Sequence, residues 1–432
     1  MRSPRPPRGA RARRDLELVR LRRPERDARV HEVKARVVAS RVVVTGVGIV
    51  SGVCTGGAAA IGPVLESGRS AVGRVTAFPT DGLPSHLAAE LPPGALAALV
   101  EPAEARRLSR VSQMTLAACR LAVDDANLGD LSDAHLIVGT EFGDLRSTEE
   151  FAAGYLRRGA GGLSPLAFPN TVMNTMAAAS AIALGLHGSS VTVNARRVAG
   201  ELAVGRGAAL IAGGRATAVL AGGVDELSPL MFAVLARLAA ISPRGGGEEG
   251  CRPFDRDASG PVRGEGATFL VLESLEAAAA RGARALGEIR GAAWRSGARA
   301  AAIPPALEAA GLAPGDIGWI YGSAAGDPAQ DAAALRSIRR VFGDAGPATT
   351  SLAPVAGEHA GLGAFGVAAA TWTARAGRLP GIASLRRPRP AAREVAAGPG
   401  VHRVPVGPGL VHGVCRGGDD VALIVAPMGD AA

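Results

Sequence analysis

Short apolar segments that alternate with helices rich in small residues constrain the fold of this chain more than any other feature. Residues 41–51 combine a β-branched run with Gly residues, a pattern typical of a buried strand that ends in a turn. Residues 103–127 follow the helical period, with apolar residues such as Val111 and Met114 on one face. Strands that alternate with helices in this way predict a mostly parallel sheet covered on both faces.

The alternation continues along the chain and repeats more weakly after residue 280. Further strands are predicted at residues 136–139, 189–193, 217–223, 267–273, 286–289, 317–321 and 421–426, and further helices at 198–212, 301–310, 331–342 and in segments ending at 186 and near 376. Two such series indicate a pseudo-duplicated α/β protein. We therefore divide the chain into a tail of residues 1–40, an N-terminal half of residues 41–280 and a C-terminal half of residues 281–432.

The net charge of +9 comes from the tail rather than from the body of the protein. Residues 1–40 hold 13 Lys or Arg and 5 Asp or Glu, so the rest of the chain carries about +1. The tail has no aromatic residues among its arginines, which argues against nucleic-acid binding. Its composition, rich in Pro and charged residues, predicts disorder.

The composition excludes several other classes of protein. There is no Gly-X-Y repeat, and four Cys are too few for a disulfide scaffold. The uncharged run of residues 42–65 is long enough to cross a bilayer, but its six Gly and Pro63 favour a strand, a turn and the start of a helix. No secretory signal is evident. We therefore expect a cytoplasmic protein with no membrane contact.

Five sequence motifs occur in order between residues 41 and 427. They are the opening strand 42–51, the segment 164–174, the Ala-Gly-Gly stretch 221–226, the Arg-Pro-Phe-Asp stretch 252–260 and the Arg-Gly-Glu-Gly-Ala stretch 263–267. Together they resemble the β-ketoacyl-ACP synthases of the thiolase fold. The resemblance covers everything but the tail. It implies an α/β protein with two pseudo-duplicated halves in a five-layered αβαβα arrangement.

The resemblance also identifies the positions that carry condensation in that family: a Cys nucleophile, two His and a supporting Lys. Here these positions fall on Arg197 for the Cys, Ser323 for the first His, Ala353 for the Lys and Glu358 for the second His, with Arg416 in place of the gating Phe. A guanidinium stays protonated, so Arg197 cannot take up an acyl group. The resemblance therefore implies a degenerate member with no intact catalytic residue.

Neighbouring residues compete for some of these assignments. A slip of one residue would replace Glu358 by His359, and Arg196 could enter the pocket instead of Arg197. Cys415 is the one thiol near the expected site, although a buried, inert side chain is the ordinary interpretation of a free Cys. The seven His show no spacing typical of a metal site, so we expect no metal, and the resemblance implies no cofactor.

A degenerate ketosynthase of this kind resembles the chain-length factor of type II polyketide synthases. That resemblance implies a non-condensing subunit that pairs with an active ketosynthase in a heterodimer. It also implies that acyl carrier protein is a partner that carries the growing acyl chain, and that this subunit shapes the tunnel in which the acyl chain grows. Two other functions stay open: an acyltransferase that uses Cys415, His359 or Glu358, and an orphan protein that binds acyl thioesters.

The resemblance further predicts the environment of two segments. In this fold the strand at residues 189–193 pairs across a two-fold axis, so we expect it at an interface; an ordinary core strand is the alternative. The former catalytic positions should meet in one pocket. Because an unpaired buried cation is costly, we expect an ion pair between Arg197 and Glu358, with Ser323 as a hydrogen-bonding neighbour.

Overall fold

The computed structural model describes residues 40–165, 167–297 and 301–429, so the predicted basic tail lies outside the described residues apart from Ser40. The strands in the described ranges are β1 Val42–Ser51, β2 Thr55–Gly56, β3 Val72–Arg74, β4 Leu87–Ala89, β5 His135–Thr140, β6 Ser190–Asn194, β7 Ala218–Asp225, β8 Arg263–Gly264, β9 Gly266–Ser274, β10 Gly287–Arg295, β11 Trp319–Gly322, β12 Ala348–Thr350, β13 Arg378–Pro380, β14 Val401–Arg403, β15 Gly409–Val414 and β16 Asp420–Ala426. The α-helices there are α1 Ile61–Ser67, α2 Pro102–Ala105, α3 Arg110–Ala126, α4 Leu145–Arg158, α5 Thr175–Leu184, α6 Ala199–Ala212, α7 Pro229–Arg237, α8 Leu275–Ala280, α9 Ile303–Ala310, α10 Pro328–Phe342, α11 Ala353–Ala356 and α12 Gly361–Ala376.

The main sheet is mixed, so the prediction of a mostly parallel sheet is wrong. Its strand order is β12-β11-β15-β16-β10-β1-β9-β7-β5-β6. The two strand pairs at each end of this order are parallel, and the five pairs between them, from β15·β16 to β9·β7, are antiparallel. Strands buried on both faces are continuously apolar whatever their direction. The sequence pattern therefore could not distinguish the two pairings.

The sheet repeats one topology on either side of its centre. Outward from β1 the order is β9, β7, β5 and β6, and outward from β10 it is β16, β15, β11 and β12. In both series the first two pairs of neighbouring strands are antiparallel, and the next two pairs are parallel. The predicted pseudo-duplication is confirmed.

Helices separate these two half-sheets and cover their outer faces. Helices α6 and α12 contact β7 and β9 of one half-sheet and also β16 of the other. Helix α3 covers β1 and β9 from outside and packs on α5, while α9 covers β10 and β16. The order of layers is therefore helix, sheet, helix, sheet, helix, as the family resemblance implied.

Some element boundaries differ from the sequence prediction. The helix expected at residues 103–127 is divided into α2 and α3, because Ser109 has an extended backbone (φ −63°, ψ 161°) where α3 begins. Helix α10 begins at Pro328, three residues before its predicted start. Its first turn is fixed by the Asp327 carboxylate, which accepts hydrogen bonds from the backbone N–H groups of Ala329 and Gln330. The apolar period alone does not reveal such caps.

No helix in the described ranges is long and apolar enough to cross a membrane. The uncharged run of residues 42–65 forms β1, β2 and most of α1, which are the strand, turn and helix start expected there.

Candidate functional site

Close packing of two central helices brings the predicted pocket residues together. Arg197 lies in the turn between β6 and α6, Ser323 follows β11, and Glu358 lies just before α12. Gly200 in α6 allows α12 to approach, because a Cβ atom there would stand 2.1 Å from the Ala360 carbonyl oxygen. The starts of α6 and α12 therefore face each other, with Arg197 and Glu358 at the junction.

Arg197 and Glu358 form the predicted ion pair. The guanidinium Nη1 lies 2.5 Å from Glu358 Oε1, and both residues are buried, with 8% and 7% of their surface exposed. Arg197 also donates to the Val414 carbonyl oxygen from Nε at 3.0 Å and from Nη2 at 2.7 Å. Ser323 Oγ lies 3.4 Å from Arg197 Nη2. The predicted contacts of all three side chains are confirmed.

A second arginine, Arg263, binds the same carboxylate. Its Nη1 lies 3.1 Å from Glu358 Oε2, and its Nη2 lies 2.9 Å from Glu141 Oε2. The backbone fixes this arrangement, since Glu358 N donates to the Val262 carbonyl oxygen and Gly264 N donates to the Glu358 carbonyl oxygen. Arg263 lies within one of the five family motifs, but the sequence predicts no role for its side chain. Its long separation from Glu358 in sequence left no local signal of the contact.

This network determines the charge state of Glu358. Burial alone would raise the pKa of Glu358, but the guanidiniums of Arg197 and Arg263 outweigh it, so the pKa lies below its ordinary value. A lowered folded-state pKa stabilises the fold above the unfolded pKa of a Glu, about 4.3. This contribution is lost as the pH falls through the folded-state pKa.

The alternatives that the sequence left open for this pocket are not realised. Arg196 is exposed, and Arg197 is the arginine that contacts Glu358. His359 is 2% exposed, and neither ring nitrogen has a hydrogen-bond partner among the described residues. Burial, together with the nearby Arg263, lowers the pKa of His359 to about 3. The imidazole is therefore neutral and makes no contact that would replace Glu358.

The space left beside the ion pair is small. A cavity of about 40 Å³ is lined by Arg197, Glu201, Ser323, His359 and other residues of α12 and β15. One buried water needs roughly 10–15 Å³ of such volume, so the cavity has room for only a few waters. An acyl chain does not fit beside Arg197 and Glu358 in this conformation.

The other predicted positions lie around this centre. Ala353 begins α11 and is buried with Cys251, Val262 and Ala325. Arg416 lies in the turn between β15 and β16, where its guanidinium binds Asp327. Ala353 thus belongs to an apolar cluster, and Arg416 is bound to a carboxylate outside the ion pair.

Cys415 is poorly suited to act as a nucleophile. Its residue is 5% exposed, and burial raises the pKa of the thiol to about 12. Little thiolate therefore exists at neutral pH. The described residues contain no group of three or more His, Cys, Asp or Glu side chains placed to hold a metal ion.

Glu201 gives the site a second dependence on pH. Burial raises its pKa to about 7, and its Oε2 has no hydrogen-bond partner among the described residues. Because the pKa is higher in the folded state than in the unfolded state, the folded protein loses stability as the pH rises from about 4 to 7 and the carboxyl group must ionise while buried.

We expect Glu201→Gln to raise the free energy of unfolding at pH 8 by about 3 kcal/mol, with the gain vanishing near pH 4. Urea unfolding at both pH values measures this, with the exposed Glu276→Gln as control. An equal effect at both pH values would contradict the assignment.

The fold and the site together define a ketosynthase-like protein whose pocket holds a network of ion pairs. A family model, Beta-ketoacyl synthase, N-terminal domain, matches residues 39–278. The 3-oxoacyl-[acyl-carrier-protein] synthase 2 of Synechocystis sp. is 30% identical over 329 residues, which cover 70% of this chain and 77% of that protein. The chain belongs to the β-ketoacyl synthase family.

Solved structures agree with this assignment. The ishigamide ketosynthase/chain length factor is 29% identical with a TM-score of 0.84, covering 90% of this chain and 100% of that one. A β-ketoacyl synthase from Burkholderia phymatum is 26% identical with a TM-score of 0.82, again covering 90% and 100%. The thiolase-type fold of this chain is therefore shared with these proteins over nearly all of its described length.

Proposed function

We propose that this chain is a non-condensing subunit of the chain-length-factor type. It pairs with an active ketosynthase and shapes the tunnel that receives the growing polyketide or acyl chain. The observation that carries the proposal is the buried ion pair between Arg197 and Glu358, which fills the place where the family resemblance puts the nucleophile and the second His.

The chemistry of the pocket supports this role. Arg197 has no nucleophilic lone pair, Ser323 Oγ accepts a hydrogen bond from Val414 N at 2.8 Å, and Glu358 is held between two guanidiniums. No side chain of this network offers the Cys thiolate that condensation uses in the resembled family, and the Ser323 hydroxyl has no general base beside it in the network. The network stabilises the subunit where an active relative would carry out condensation.

The edge of the sheet supports pairing with another subunit. Strand β6 is the last strand of the sheet and is hydrogen-bonded to β5 on one side only, among the described residues. The predicted alternative, a core strand, does not hold, because Val191 is 40% exposed. Exposed apolar side chains lie on the adjoining segments as well, including Phe168, Val172 and Ile182. An unpaired edge beside exposed apolar side chains is suited to an interface.

Acyl carrier protein is the second partner in this proposal. A type II polyketide synthase acyl-carrier protein has been solved in complex with its ketosynthase, and the present chain has the same fold at 21% identity. We infer that the carrier protein delivers its chain to the active subunit of the pair, while this subunit supplies part of the wall.

An acyltransferase that uses Cys415, His359 or Glu358 is the competing function, and no contact favours it. We expect no mass increase on this chain after incubation with acylated carrier protein, as measured by intact mass spectrometry, because the thiol of Cys415 is buried and protonated. An active Cys-His-His ketosynthase from the family serves as the positive control. An acyl adduct on Cys415 would overturn the proposed function in favour of the acyltransferase.

The neighbouring gene distinguishes the pairing role from an orphan role. An intact ketosynthase encoded next to this chain favours the pairing role, and co-expression of the two proteins tests it. A complex recovered through a tag on one subunit supports the proposal. Recovery of each protein without the other would favour an orphan protein that binds acyl thioesters.

A further inference from the structure

Arg197 and Glu358 also line a second cavity, of about 140 Å³, which we call the vestibule. Its lining carries five guanidiniums and two carboxylates, contributed by Arg196, Arg197, Arg244, Arg263, Arg416, Glu141 and Glu358. Apolar side chains such as Phe142 and Leu235 also line the vestibule, but this number of charged groups distinguishes it from the largely apolar pockets that hold most organic ligands. The balance of charge in it decides what it can hold.

The carboxylates do not balance the guanidiniums. Glu358 and Glu141 compensate Arg197 and Arg263. Arg244 and Arg416 both bind one oxygen, Oδ2 of Asp327, with Arg244 Nη1 at 2.9 Å.

The backbone carbonyl of Arg196 accepts a hydrogen bond from Ala199 N. Its guanidinium forms no ion pair or hydrogen bond with any residue that the structure describes, and its Nε lies 3.4 Å from the position that a Cβ atom on Gly417 would occupy. Among the residues that line the vestibule or bind directly to its arginines, five guanidiniums therefore face three carboxylates, which leaves a local excess of two positive charges. The carboxyl groups of Asp225 and Asp331 act on Arg263 and Arg197 from outside this lining.

Arg196 is held in a strained backbone conformation. Its φ is +52°, in the left-handed region that residues other than Gly seldom adopt. Such outliers persist where the surrounding structure holds them, and they are frequent at sites that bind ligands. The strain presents an uncompensated guanidinium beside the turn that carries Arg416.

Two further groups at the vestibule have unused hydrogen-bonding capacity. The Nε of Arg244 is a buried donor without a partner among the described residues. The side chain of Arg416 is half exposed and uses one nitrogen on Asp327. An anion between Arg196 and Arg416 would find open donors on more than one guanidinium.

We propose that the vestibule binds a compact dianionic oxyanion of the phosphate type, held between Arg196 and Arg416. An excess of two positive charges matches a phosphate group, which carries nearly two negative charges at neutral pH. The planar fork of a guanidinium matches two phosphate oxygens at once. A neutral acyl chain would leave this excess uncompensated. The proposal does not depend on the pairing role, because every residue in it belongs to this chain.

Binding of inorganic phosphate tests the proposal. The full chain, with any subunit that copurifies, is titrated calorimetrically with phosphate and separately with chloride at equal ionic strength. We expect saturable binding of phosphate at one site per chain and none of chloride. Arg196→Asn and Arg416→Gln should each weaken phosphate binding about tenfold, since each removes a charge-assisted contact.

Matched variants make the result decisive. Asn tolerates the left-handed backbone of Arg196, so Arg196→Asn removes the charge without adding strain. Arg403→Gln, at an exposed position in β14, removes one positive charge elsewhere and should leave binding unchanged. Circular dichroism verifies that each variant is folded. The proposal is overturned if phosphate does not bind, or if all three variants weaken binding equally.

Discussion

Replacing Glu358 by Ala is expected to lower the free energy of unfolding by about 3–5 kcal/mol, because it leaves buried positive charge without its partner. Both guanidiniums that bind Glu358 have less than a tenth of their surface exposed, so water cannot take over the lost contact. Arg263 keeps Glu141, and Arg197 keeps only neutral contacts with Val414 and Ser323. Urea unfolding of the variant and the natural chain measures the loss.

A double substitution separates charge from packing. Arg197→Leu combined with Glu358→Leu should recover much of the lost stability, since it removes the stranded cation and fills the volume with apolar groups. Glu104→Ala removes the partner of Arg120 from a partly exposed pair and serves as the control, with an expected loss of about 1 kcal/mol or less. An unchanged unfolding curve for Glu358→Ala would contradict the network described above.

Replacing Val191 by Lys is expected to weaken association with the partner ketosynthase by roughly 30-fold or more, which corresponds to about 2 kcal/mol. Val191 lies on the free edge of β6 and is 40% exposed in this chain alone. A lysine on an edge strand opposes pairing with another strand, because its charge would have to be buried at the interface. Sedimentation of the mixed subunits measures the affinity.

Val406→Lys provides the matched control for this interface. Val406 is 64% exposed and lies between β14 and β15, in the other half of the chain. A lysine there should leave association unchanged. Equal weakening by both substitutions would indicate a general effect of charge rather than an interface at β6.

Much of the site could be predicted because its members occur in motifs with fixed spacing. In the family that the motifs resemble, the nucleophile precedes the Ala-Gly-Gly stretch at a fixed spacing, which puts Arg197 at that position, and the spacing of Gly357 and Gly361 favours Glu358 over His359 for the second His. Physical chemistry then supplied the contact, since a buried arginine needs a carboxylate. The contact between Arg197 and Glu358 follows from those two steps.

The remaining features depend on contacts that are distant in sequence. Strand direction was predicted wrongly, because a strand covered on both faces has the same apolar pattern in either direction. The role of Arg263 depends on the pairing of β8 with the backbone of Glu358, 95 residues later. The left-handed backbone of Arg196 is likewise held by its surroundings, whereas the start of α10 was placed too late because the apolar period was used instead of the local signal of Asp327 followed by Pro328.

The mass of the co-expressed complex tests the central claim most directly. This chain is produced together with a candidate partner ketosynthase from the same source, and the purified assembly is measured by native mass spectrometry. A non-condensing partner subunit predicts one copy of each chain, with acyl groups attached to the ketosynthase alone. A stable monomer of this chain that does not bind the ketosynthase, or an acyl group attached to this chain, would contradict the role of a non-condensing partner subunit.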